Sequence, residues 1–127
     1  MAGNLSNYLE NKVLDHILGT TTYTMPSTVY VALYTAAPND TGGGTQVTGG
    51  SYARQVATFD AASSGATQNT GNIDFTNMPA CTVTAIGVFD ALTTGNLLVW
   101  GTLATSKSLD AGDTLRIATG DLDISLD

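Results

Sequence analysis

Two stretches of the N-terminal half alternate apolar and other positions with a period of two. In Thr28–Thr35 (TVYVALYT), Val29, Val31 and Leu33 share one face, and Tyr30, Ala32 and Tyr34 share the other. That period is the signature of a β-strand. In Tyr52–Phe59, Ala53, Gln55, Ala57 and Phe59 alternate with Arg54, Val56 and Thr58, a weaker version of the same pattern. Between the two runs lies AAPNDTGGGTQVTGG, nearly all Gly, Thr, Asn, Asp and Pro. Its glycines supply loose, turn-forming backbone. The expectation there is a long exposed loop, a mobile arm that a neighbouring subunit would order.

Ahead of these strands the period changes. Leu5, Tyr8, Leu9, Val13 and Ile17 fall at helical spacing, and Leu14 and Leu18 widen the stripe. This predicts one amphipathic helix over Asn4–Leu18. Asn4 or Ser6 suits the N-cap, Gly19 the position just past the end, and His16 the last turn. So wide an apolar face must dock, either on the sheet of its own chain or on a neighbouring subunit.

The remainder reads as short strands. Asn69–Thr76 places Ile73 and Phe75 on one face. Thr82–Asp90 is apolar or neutral on both faces, with Val83, Ala85, Gly87 and Phe89 opposed to Thr84, Ile86 and Val88, which predicts a central strand. Thr93–Asn96 is a hairpin-type turn into the apolar run Leu97–Ala104. Thr114–Thr119 and Asp121–Leu126 follow, the latter with Leu122, Ile124 and Leu126 on one face. Asp60–Gln68 and Ser106–Gly112 read as polar loops. The pattern predicts a mainly β fold: an antiparallel sandwich or open barrel of about seven or eight strands, preceded by one N-terminal helix. It predicts a single domain over 1–127, with the helix in 1–19 and the β-domain in 20–127.

Composition narrows the function. Only 12% of the 127 residues are charged, and Thr and Gly are abundant, as turn-rich β-structure requires. The net charge is −7, with four basic residues: Lys12, Arg54, Lys107 and Arg116. Nucleic acid and anionic membrane surfaces need clustered cations, so neither is an expected partner. Cys81 is the single cysteine, which leaves no intrachain disulfide. No signal peptide and no apolar run near the ~20 residues of a membrane span are evident. The simplest expectation is a soluble protein made in the cytosol.

Catalytic and ligand-binding constellations are sparse. His16, the one histidine, lies on the predicted helix, and no G-x-S-x-G motif is present, so a nucleophile–base pair is not formed. Asp110/Asp113 and Asp121/Asp123 are the nearest to paired carboxylates, yet the first pair suits a turn and the second points outward from a strand. One Cys and one His cannot build a zinc site, and no D-x-D-x-D-G loop offers calcium ligands. Gly42–Gly44 lacks the Gly-Lys-Ser/Thr that a phosphate loop needs. No enzyme, metal or cofactor is expected. Arg54, one of four cations in an acidic chain, is expected in a buried or interface salt bridge, with ligand binding as the remaining alternative.

The run Leu5-Ser6-Asn7-Tyr8-Leu9-Glu10-Asn11-Lys12, with Leu14-Asp15-His16, Thr28–Leu33, Gly42–Thr45 and Gly50–Gln55, resembles a family of small tailed-bacteriophage proteins labelled tail-fibre or virion proteins. The similarity continues through Gly87–Asp90, Gly95–Leu98 and Gly112-Asp113 to Gly120–Leu122, nearly the whole chain. The resemblance implies a virion structural protein, without enzymatic activity, whose partners are other phage capsid or tail proteins. The chain shows no repeats and no shaft-like pattern, so a subunit decorating the capsid ranks first, and a tail, fibre-base or baseplate component second. A carbohydrate- or host-surface-binding module is a third possibility, for which Tyr34, Tyr52 and Trp100 are the candidate aromatics. Contacts with neighbours, including homo-oligomer or lattice contacts, are expected at Leu5, Tyr8, Leu9, Val13, Ile17, Gly43, Gly44 and Arg54.

Overall fold

A computed structural model describes residues 4–126; Met1–Gly3 and Asp127, within the expected terminal segments, lie outside the described residues. The fold is mainly β and sandwich-like, with no closed barrel. The chain opens with a two-residue strand, β1 (Asn4–Leu5), and then the helix α1 (Asn7–Ile17). The helix therefore starts three residues later than its periodicity predicts. Asn4 and Leu5 pair instead with Trp100 and Val99, because this side of the sheet offers free backbone partners. Ser6 is the N-cap: its hydroxyl accepts from the Leu9 N–H at 3.2 Å and donates to the Leu97 carbonyl. At the other end Gly19 takes φ +80°, and the Thr20 N–H returns to the Asp15 carbonyl at 2.9 Å, a Schellman closure.

One large sheet carries the architecture. Its order is β1, β8 (Leu97–Leu109), β7 (Cys81–Phe89), β2 (Val29–Ala36). Beyond β2 two short strands share one edge: β4 (Gln55–Ala57) pairs with Val29–Val31, and β3 (Thr45–Gln46) with Tyr34 and Ala36. All pairings are antiparallel. Two hairpin-sized sheets, β5 (Ala66–Gln68) with β10 (Asp123–Ser125) and β6 (Ile73–Phe75) with β9 (Leu115–Ile117), make the opposing layer. The main core lies between: Val31, Leu33, Val83, Ile86, Val88 and Val99 meet Ile73, Phe75, Met78 and Leu122. Ala32, Tyr34, Ala85, Phe89 and Leu97 form a second, smaller cluster on the other face of the large sheet.

Sequence and structure differ in instructive ways. Strand β2 keeps strict alternation between the two clusters, as its pattern predicts. Strand β7 is central as expected, but Val83 and Ala85 belong to opposite faces, although they sit two residues apart. The ladder with β8 shifts between them, from Val83 opposite Lys107 to Ala85 opposite Thr102. Such an irregularity rotates the strand and changes which face a side chain takes. Strand β8 runs on through Ser106–Leu109, expected as loop, because Cys81–Val83 supplies its ladder partners. Strands β3 and β5 also lie in segments that read as loop.

Asn69, fully buried, ties the two small sheets of the opposing layer together. Its amide donates to the Gly71 and Ala118 carbonyls at 2.7 and 3.0 Å, and its carbonyl accepts from the Leu122 N–H at 2.9 Å. Two chain segments, 69–71 and 118–122, thus meet on one side chain, which gives the buried Leu122 its amide partner. Asn69→Ala should lower the unfolding free energy by about 2–4 kcal/mol, since it leaves several desolvated groups without partners. Urea denaturation measures this; a loss under about 1 kcal/mol would show that water replaces the side chain.

Candidate functional site

The glycine-rich connection between β2 and β4 is not an arm reaching away from the chain. It turns back on the sheet. Asn39 and Gly42 exchange backbone hydrogen bonds at 2.7 and 2.9 Å, and the Asp40 carbonyl accepts from the Asn7 N–H at 2.9 Å. One Asp40 carboxylate oxygen accepts from the Trp100 indole N–H at 3.0 Å. Gly44, at φ +72°, passes so close to Ala36 and Pro38 that a Cβ would come within 2.7 Å of their backbone atoms. Only glycine fits there, and the turn it permits brings Thr45 and Gln46 alongside β2.

The space enclosed by this loop, the helix N-terminus and the β7–β8 turn is an open concavity of about 470 Å³. Tyr34, Phe89 and Leu97 of the smaller cluster form its floor. Gly87 below makes room for them: a Cβ would lie 2.9 Å from Leu97 Cδ1 and 3.1 Å from the Tyr34 ring. Arg54 forms one wall. Its guanidinium carbon sits 3.6 Å from the Phe89 ring centroid. One terminal nitrogen donates to the Ala91 and Thr94 carbonyls at 2.9 and 2.8 Å, and the other to Gln46 Oε1 at 3.2 Å. The expected salt bridge is therefore replaced by a cation–π contact and a clamp on the turn carbonyls, since no carboxylate among the described residues pairs with the guanidinium. Burial holds the Arg54 pKa below its ordinary value, offset in part by Tyr52, Tyr34 and Asp90. The one salt bridge among the described residues, Arg116 with Asp74, bridges β9 and β6 on the opposite layer, at 2.7 Å.

The concavity gathers four of the anticipated interface residues: Tyr8, Gly43, Gly44 and Arg54. The other four lie elsewhere. Leu5 is on β1 rather than the helix, and pairs with Val99. Leu9 packs half-buried against the main core, and Val13 is half-buried. Ile17 is 72% exposed, beside Leu14 at 56% and Leu18 at 73%. Lys12 lies 5.6 Å from the Tyr8 ring centroid, a further cation–π contact. The helix thus divides: its first turns rest on the protein, and its last turns hold an apolar patch that the chain leaves uncovered. His16 accepts the Tyr23 N–H on Nδ1 at 3.1 Å and so folds the connector back along the last turn.

The three aromatics considered for sugar stacking are each engaged by the fold. Tyr34 is buried. The Trp100 indole is engaged by Asp40. Tyr52 stacks on Phe75 at 6.0 Å between centroids, while its hydroxyl accepts from the Leu33 N–H at 3.0 Å and from Gln46 Nε2 at 2.8 Å. Asp40, Asn96 and the Phe89 floor escape sequence reasoning, because they are far apart in the chain and carry no motif.

Burial raises the Tyr34 and Tyr52 phenols above the ordinary value of 10.0; for Tyr52 its hydrogen bonds and Arg54 partly oppose this. A pKa raised on folding supplies stability that is full below pH 10.0 and is lost as the pH rises through the folded-state value. Alkaline titration followed by near-ultraviolet absorbance should show late phenol ionisation, and Tyr34→Phe and Tyr52→Phe should each remove part of it. Titration of all five tyrosines together at the ordinary value would contradict this.

A family model described as Podophage GP4 fiber I protein gp80 matches residues 4–125, and the chain belongs to that family. It is therefore a structural component of a phage virion, synthesised in the host and carried on the particle among other phage structural proteins. No curated protein matches the chain.

Proposed function

We propose that this member of the podophage fibre family is a non-enzymatic structural subunit that joins a neighbouring virion protein through the last turns of α1. The supporting observation is the Leu14, Ile17 and Leu18 patch, three large aliphatic side chains at i, i+3 and i+4, each more than half exposed. Contiguous exposed apolar surface of this kind marks an interaction site. An amphipathic helix face that is left uncovered suits a groove on a partner. The family's designation as a fibre protein weighs for the tail side of the particle over the capsid surface that the resemblance alone ranks first. The non-enzymatic reading is supported by the family's structural designation and by His16, the one histidine, which is committed to the Tyr23 amide. The weaving of β1 and Ser6 into β8 supports the reading of residues 1–127 as one domain.

Ile17→Asp and Leu18→Asp should leave stability within about 0.5 kcal/mol of wild type, since neither side chain is packed. The same changes should abolish incorporation into particles, read by immunoblot of purified virions. Normal loading of both variants would sink the docking proposal. Labelled wild-type protein imaged on the particle should appear at the tail; uniform coverage of the capsid would return the decoration reading.

A further inference from the structure

The opposing layer does not close against the end of β8. Past Trp100 the outer edge of β8 has no strand partner among the described residues, and β9 pairs only with β6. In the ladder with β7, Leu103–Ser106 stand opposite Thr84 alone, so β8 bulges there. An open groove of about 620 Å³ runs between this bulge and β9. Leu33, Ile86 and Leu122, all buried, form its floor, and Leu103, Leu109 and Leu115, half-buried, form its walls. Its charged residues are Lys107, Arg116 and Asp121. Arg116 is already paired with Asp74, Arg54 grips the β7–β8 turn, and Lys12 lies over Tyr8. Of the four basic residues, that leaves the Lys107 ammonium without a partner among the described residues, beside an apolar groove.

We propose that this groove receives the end of α1 from a second copy of the chain, in a head-to-tail contact. This rests on the docking role proposed above for α1 and names its partner. The exposed stripe of the helix is Glu10, Leu14, Ile17 and Leu18, at i, i+4, i+7 and i+8, an acidic residue one turn ahead of three aliphatic ones. Asp15 adds a second carboxylate beside Leu14. The groove matches both features, with aliphatic walls for the anchors and the Lys107 ammonium for the acid. An amphipathic helix enters such a groove by anchors at this spacing. Glu10 forms no ion pair within its own chain among the described residues, so its carboxylate is open to Lys107 of the next copy. Copies of a chain with net charge −7 repel one another, and an opposed pair of this kind selects the one orientation that does not. The chain does not fill its own groove: its helix is tied at Ser6 to Leu97, and the stripe stays in solvent. Patch and groove are different surfaces, so each copy offers one and receives the other, and copies close into a ring or continue as a row. Three aliphatic side chains bury far less than the roughly 1,200–2,000 Å² of a stable interface. The contact is therefore weak: dilute protein is monomeric, and copies held side by side form it at their high local concentration.

The test is sedimentation velocity on the intact protein up to millimolar concentration, with variants changed only at exposed positions. Wild type should be monomeric when dilute and pass through dimers to larger species when concentrated. Ile17→Asp, which spoils the patch, should weaken association by at least about tenfold, because a carboxylate would have to enter an apolar groove. Ala104→Glu with Lys107→Glu, which sets two carboxylates against Glu10, should weaken it comparably. Mixed together, these two variants should associate again and stop at a heterodimer, since one lacks the patch and the other the groove. Glu10→Lys should weaken association about threefold, the size of an exposed ion pair, and adding Lys107→Glu to it should restore the loss. Wild type that stays monomeric at millimolar concentration overturns the proposal, as does association that the groove variant leaves intact. So does a mixture that fails to pair although circular dichroism shows both variants folded. Absence of Ile17→Asp from particles, together with free wild type that never self-associates, would uphold docking by α1 while refuting this partner.

Discussion

The Tyr52 hydroxyl, accepting the Leu33 amide proton, closes a gap on which the rest of this molecule depends. Strand β2 needs hydrogen-bond partners along its whole outer edge, yet β4 covers only Val29–Val31 and β3 only Tyr34 and Ala36. The amide of Leu33 falls between them, in a fully buried residue where an unpaired N–H would be costly. Tyr52 reaches in from the segment before β4 and supplies the missing acceptor, while Gln46 of β3 donates to the same oxygen. One phenol thus ties together β2 and both of its short neighbours. Two residues further on, Arg54 is held where it can grasp the β7–β8 turn. The glycine-rich loop, pinned at both ends, becomes a wall of a concavity.

The helix obeys a different constraint. Its N-terminus is tied down by β1, the Ser6 cap and the Asn7 bond to the loop, so the first turns have little freedom. The Gly19 closure ends the helix cleanly, after its apolar stripe has passed beyond what the sheet covers. A stripe wider and longer than its own support leaves Leu14, Ile17 and Leu18 to solvent. For an isolated globular protein that is a liability; in the docking proposed above it is the surface that a neighbouring virion protein covers.

Much of the fold was legible in the residues, and the failures have physical causes. Strand β2, the central position of β7, the Ile73/Phe75 face and the Gly19 stop all follow from local pattern. The parity break in β7 does not, because it depends on where β8 shifts its register, a property of two strands together. Asn4 and Leu5 fit a helix by spacing, and only the free edge of β8 draws them into a strand. Strands β3 and β5 are too short, at two and three residues, to carry a period. The site was half legible. Tyr8, Gly43, Gly44 and Arg54 stand out by type, but that they share one concavity with Asp40 and Asn96 follows from tertiary contacts alone. Arg54 was expected to find a carboxylate and found carbonyls and a ring, a choice that no sequence spacing encodes. Asn69, which ties the two small sheets of the opposing layer together, looks like any loop asparagine until its three partners are seen.

The most direct test of the structural account is chemical accessibility of the helix end in the assembled particle. A single thiol is placed by Ile17→Cys in a Cys81→Ser background, and its maleimide labelling rate is compared between free protein and purified virions. The account predicts fast labelling in the free protein, where Ile17 is 72% exposed, and strong protection on the particle. Equal rates in the two states would mean that the end of α1 stays open after assembly, and would contradict it.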